Sequence, residues 1–171
     1  MSKVVDAEYL KEFLEAIKCF GLEVVPGPVT TRIVSDWYQS AEPSILAATV
    51  VAAHQISQDY LSDPDRMVRA AETAELVLRY LKARYDAGEI DRAQWTTGCS
   101  IVAPFLNWGP EASNIADEAV ATFGEQPIAV CNRMKSRGQE EAERIIEESY
   151  NNYLKRRTKT SGILEIFFRK R

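Results

Sequence analysis

Histidine is nearly absent from this chain: His54 is the only one in 171 residues. A metal site built on several histidines is therefore excluded, and any histidine acid–base chemistry has to run through this one side chain. Cysteine is scarce as well. Cys19, Cys99 and Cys131 are odd in number, far apart and free of CxxC or Cys/His spacing, which argues against both a disulfide framework and a zinc site. They read as reduced, buried thiols of a cytoplasmic protein. No GxxxxGK[ST], GxGxxG or GxSxG pattern occurs, so neither a standard phosphate loop nor a serine elbow is encoded. No apolar run approaches the ~20 residues of a membrane span. Met1–Ala7 has no cationic start leading into an apolar stretch, so no secretory signal is visible. The expected location is the cytoplasm or an assembled particle. Runs that read as strands are few, namely Leu22–Val25 and the C-terminal tail.

What is abundant is helix. Apolar residues make up 46% and charged residues 27%, a globular rather than a disordered balance. Prolines mark helix starts: Pro43, Pro64, Pro110 and Pro127 each precede a helical pattern, where the missing N–H has no partner to lose. The first helix is expected from Asp6 to Phe20, with Leu10, Phe13, Leu14, Ile17 and Phe20 as its apolar stripe and Gly21 as its C-cap. An extended connection, Leu22–Val29, leads to a short helix over Thr31–Gln39. The third helix, Pro43–Leu61, carries no charge from Ile45 to Ala53, the mark of a central helix packed on several sides. The fourth, Pro64–Tyr85, shows Met67, Ala70, Ala71, Ala74, Val77, Leu78, Leu81 and Tyr85 on one face. Glu75 and Arg79 fall among its polar positions as an i,i+4 pair. Asp91 caps a fifth helix that Pro104 kinks or ends. Pro110–Phe123 and Pro127–Ser136 form two short helices. The last runs from Gln139 to Arg157, acidic at its start and basic at its end, which suits the helix dipole. Its apolar side is Ala142, Ile145, Ile146, Tyr150, Tyr153 and Leu154. The fold expected is all-α: a compact bundle of six to eight helices over 1–157, followed by an extended basic and apolar C-terminal arm over 158–171.

Few side chains invite chemistry. His54, in the apolar third helix, reads as a core or boundary residue. Asp59, Asp63 and Asp65 lack the glycine and terminal Glu of a calcium loop and read as helix caps. Glu140, Glu141, Glu143, Glu147 and Glu148 resemble a carboxylate ladder, for which Glu72 and Glu75 are the only tempting partners; a solvated face is the simpler reading. Trp37 and Trp95 belong to apolar stripes, and Trp108 stands at a helix boundary. No catalytic residue, cofactor or metal is expected.

The tail is the exception. Lys155–Arg171 holds seven Lys/Arg against the single Glu165, a net +6, while the whole chain is −4, leaving −10 for residues 1–154. A basic, apolar arm on an acidic body is built to dock. The residues expected to meet a partner are Lys155, Arg156, Arg157, Lys159, Ile163, Leu164, Ile166, Phe167, Phe168, Arg169, Lys170 and Arg171. A short run of β-branched and aromatic residues favours an extended strand, suited to strand addition. The helical alternative pairs Glu165 with Arg169 and aligns Ile163, Ile166 and Phe167. The function expected is that of a non-enzymatic assembly or adaptor subunit of a larger complex, by analogy of a phage or viral kind. Its partner would be a protein, other copies of itself included. The alternative is a nucleic-acid-binding subunit that adds Arg133, Lys135 and Arg137 to the tail cations and stacks bases on Tyr150, Tyr153 and Phe167.

Overall fold

The computed structural model describes residues 4–24, 26–62, 66–106, 127 and 138–168; for 59–62, 66–67 and 158–168 it describes the backbone alone. Six α-helices and one 3₁₀ turn make up these residues, with no strand among them: α1 (Ala7–Cys19), α2 (Pro28–Gln39), α3 (Ser44–Ser62), α4 (Arg66–Asp86), α5 (Arg92–Val102), the turn Ala103–Leu106, and α6 (Gln139–Phe168). The all-α class and the helical count are as expected. The two short helices anticipated over 110–123 and 127–136 lie outside the described residues, apart from Pro127 itself, which is helical.

Helix α3 is the axis of the bundle. Every residue from Ser44 to Ala53 is buried, and α1, α2, α4 and α5 all pack against it. Its freedom from charge is what lets neighbours close on every side. Buried hydroxyls survive there by bonding their own helix: Thr49 Oγ1 donates to the Ile45 carbonyl at 2.8 Å, and Ser57 Oγ to the His54 carbonyl at 2.7 Å. Helix α5 uses the same device, with Thr96, Thr97 and Ser100 donating to the carbonyls four residues back. Gly98 brings α5 close to α3 and α4. A methyl group at this position would stand 3.0 Å from side-chain carbons of Leu46 and Leu81. As expected, α5 stops before Pro104, and the chain tightens into the 3₁₀ turn.

The helix ends show local sequence at work. Asp6 caps α1 by accepting from the Tyr9 amide at 2.7 Å, and Asp91 forms a reciprocal capping box with Gln94 on α5. Helices α1, α2 and α4 all close with the same pair of backbone bonds: Gly21 to Lys18 and Leu22 to Ile17; Ala41 to Tyr38 and Glu42 to Trp37; Gly88 to Tyr85 and Glu89 to Arg84. This closure puts one residue in the left-handed region. Glycine fills it twice, while Ala41 accepts φ 56° at the end of α2.

Several expectations need correction. Pro28 opens α2 at its first turn, so the helix starts three residues before Thr31. Leu10 and Leu14 on α1 face solvent; the buried side is Phe13, Ala16, Ile17 and Phe20. Cys19 is exposed, whereas Cys99 is buried; Cys131 lies outside the described residues. On α6, Ile145 and Leu154 face out, and the buried row is Ala142, Ile146, Ser149 and Tyr153. That row keeps a strict helical period, so Ser149 goes inward by register and not by hydrophobicity. Finally, the backbone stays helical past Arg157 to Phe168, where an extended arm from 158 was expected. Extending an existing helix needs no new nucleus, and one glycine at 162 costs only ~1 kcal/mol.

Candidate functional site: a groove between α4, α5 and α6

A groove of about 520 Å³ opens where α4, α5 and α6 meet. Trp95 and Cys99 of α5 form its floor; Leu78 of α4 and Ile146 and Tyr150 of α6 form its apolar walls. Arg79 and Lys82 stand on one rim, Glu143 and Glu147 on the other. Each lining residue follows from helical register. Leu78 and Lys82 lie one turn apart on α4, and Glu143, Ile146, Glu147 and Tyr150 fall on one strip of α6. Trp95 is held in place by stacking on Tyr85, with ring centroids 5.1 Å apart and planes at 15°. Its Nε1 is buried and finds no acceptor among the described residues.

Polar clamps close the groove at both ends. At one end, Glu75 of α4 is 6% exposed. It accepts from Arg79 Nη2 at 2.5 Å, from Tyr153 Oη at 2.8 Å and from Arg157 Nη1 at 3.0 Å. A buried carboxylate with three donors is a satisfied one. At the other end, Arg92 of α5 holds Glu143 of α6 through two bonds, at 2.5 and 2.8 Å. Glu75 meets residues 153 and 157 while Lys82 lines the groove with 143 and 147, so α4 and α6 run antiparallel. Burial, with Glu75 alongside, pushes the Tyr153 hydroxyl up to about 12. Arg92 beside Glu143, and Arg144 beside Glu141, hold those carboxyls below the usual range. Burial also pushes the Cys99 thiol up, which leaves it a protonated, unreactive floor group.

Three of the four rim charges are already engaged inside the molecule. Arg79 is held by Glu75, Lys82 by Asp86 at 2.5 Å, and Glu143 by Arg92. Glu147 has no ion-pair partner among the described residues and is exposed. The carboxylate ladder is thus divided. Glu143 is a clamp, Glu141 and Glu148 bracket Arg144, and Glu147 looks onto the groove. Glu75 does not join the ladder as a metal ligand, since cations and a tyrosine occupy it. Among the described residues, no group of three or more His, Cys, Asp or Glu is placed to hold a metal ion.

Other sequence candidates fall elsewhere. His54 is half-buried on α3, and burial lowers its pKa. Trp37 is core, 2% exposed. Trp108, Asp63, Asp65, Arg133, Lys135 and Arg137, the side chain of Asp59, and all side chains beyond Arg157 lie outside the described residues. Of the expected docking residues, Lys155 and Arg156 are exposed, while Arg157 reaches back to Glu75. The groove itself was missed in the sequence reading. The signal present was Glu75, a charge flanking the buried Ala71, Ala74 and Leu78 row of α4, matched by Tyr153 at the end of the α6 row.

Among the described residues, no helix is long and apolar enough to cross a membrane. No family model, curated protein or solved structure matches the chain, so the functional reading rests on its residues.

Proposed function

We propose that this chain is a non-enzymatic assembly or adaptor subunit that docks on a neighbouring protein through its C-terminal segment. One observation carries this reading: the +6 of Lys155–Arg171, wrapped around Ile163, Leu164, Ile166, Phe167 and Phe168, on a body of −10. Apolar burial supplies most of the affinity of such a segment, at ~25 cal/mol per Å² before association costs. The flanking cations steer it to an acidic surface and fix its register. The helical backbone through Phe168 favours the helix-in-groove mode over strand addition. The nucleic-acid alternative draws on the same cations, but Arg157 is held by Glu75, and the acidic body repels phosphate.

The test is a chain lacking Gly162–Arg171, compared with the full chain in native cell extract by size exclusion. The truncated chain should keep its helical circular dichroism and elute at monomer size, while the full chain elutes in a larger assembly. Identical elution of the two overturns the reading.

A further inference from the structure

We infer that the α4–α5–α6 groove is the acceptor for the C-terminal segment of a second copy of this chain. This rests on the reading of that segment as a docking arm and names its partner. Three observations carry it.

The first is reach. Helix α6 is continuous from Gln139 to Phe168, and Ile163 lies 13 residues beyond Tyr150. At 1.5 Å per residue that is about 20 Å along the axis. A continuous helix cannot turn back to fill a groove beside its own residues 143–150, so any arm that occupies the groove comes from another molecule. The second is charge. The first three turns of α6 carry five Glu against the lone Arg144, and Glu147 is the rim charge left without a partner among the described residues. The segment offered to it carries +6. The third is chemistry. The lining presents Trp95, Leu78, Ile146 and Tyr150, a surface that takes aliphatic and phenyl side chains, and Ile163–Phe168 supplies both kinds. The copy that donates its segment keeps its own groove open, so two molecules can exchange segments around a two-fold axis or add head to tail.

The test is complementation between two full-length variants. Phe167→Asp damages the segment and leaves the groove intact. Glu147→Arg reverses the exposed rim charge and leaves the segment intact; because Glu147 is exposed, the fold tolerates the change. Light scattering and sedimentation velocity give the mass of each alone and of the mixture. Wild type should self-associate, and should do so about tenfold or more weakly in either variant alone. The mixture should regain a heterodimer, since each variant keeps the half the other lacks. Association of wild type should also fall steeply on raising salt to about 0.5 M. Loss of association with Phe167→Asp but not with Glu147→Arg, or no heterodimer in the mixture, overturns the groove as acceptor while the docking arm stands. A wild-type chain that is monomeric when pure, yet assembles in extract through residues 162–171, overturns the second copy and leaves the proposed function intact. A second groove variant, Lys82→Glu, keeps the test decisive if Glu147→Arg misfolds: by adding acid to the rim it should strengthen association, and weakening would count against the inference.

Discussion

Helices α3 and α6 are held by opposite means. Between Ile45 and Ala53 α3 has no charge and no exposed face, and four helices close on it. Alanines and one glycine on α5 set the spacing. Over residues 139–157 helix α6 is mostly solvated. There it rests on a single row of four buried residues, and two charged clamps, Glu75 with Tyr153 and Arg157 and Arg92 with Glu143, hold it on either side of the groove. Where packing is complete, shape alone decides the position of a helix. Where packing is partial, directed hydrogen bonds have to set register and angle, and space remains between the elements. The groove is the consequence. It opens along the helix held by clamps, whereas α3 is closed over from Ser44 to Ala53.

The comparison can be broken at several points. The largest effect is expected from Leu46→Ala in the first turn of α3, where the residue is fully buried. A fully buried leucine with no room to relax should cost about 2–5 kcal/mol, read as a drop in the urea midpoint for the whole molecule. If only α6 amides lost protection from hydrogen exchange, α3 would not be the axis. Next comes Gly98→Ala. The added methyl meets Leu46 and Leu81 at 3.0 Å, and overpacking of this kind costs about 1–3 kcal/mol. A neutral or stabilising result in thermal unfolding would show that α5 has slack against α3.

The smallest effect belongs to the clamp. Tyr153→Phe removes one donor from Glu75 and leaves two, for a loss of about 1 kcal/mol, seen first as faster exchange in α6. It should also change the alkaline limb. The folded Tyr153 holds its proton to about 12, whereas an unfolded tyrosine gives it up near ~10. The clamp's stability is therefore whole below ~10 and is lost as pH rises from there through about 12. Tyr9, raised by burial and by Glu42 and Glu12, loses stability in the same direction. Tyr153→Phe should therefore flatten only part of the alkaline loss. An unchanged alkaline limb would show that Tyr153 is not coupled to folding.

Much of the fold was legible before any coordinate. The α3 run without charge, the cap at Asp91, Gly21 at the end of α1 and the stop at Pro104 are local patterns, and each acts within a turn or two of itself. The candidate site was less legible. The sequence reading placed Glu75 among solvated positions and Ile145, Leu154, Leu10 and Leu14 in apolar stripes. A residue one step round the helix from a stripe can go either way, and only the neighbour's position decides. Glu75 is buried because Tyr153 and Arg157, some eighty residues away, bring donors to it.

The sequence by itself determined that this is a helical protein with an acidic body, a basic apolar C-terminus and a single histidine, because composition and helical period are properties of the chain. Tertiary structure decided which charges are clamps and which remain open, and that α4, α5 and α6 leave a groove between them. Those outcomes depend on the distances at which separate helices stop approaching one another, set by residues such as Gly98 and Trp95 meeting partners far away in sequence. The charge imbalance of the tail was readable from the first line; the surface on this same molecule that would receive it was not.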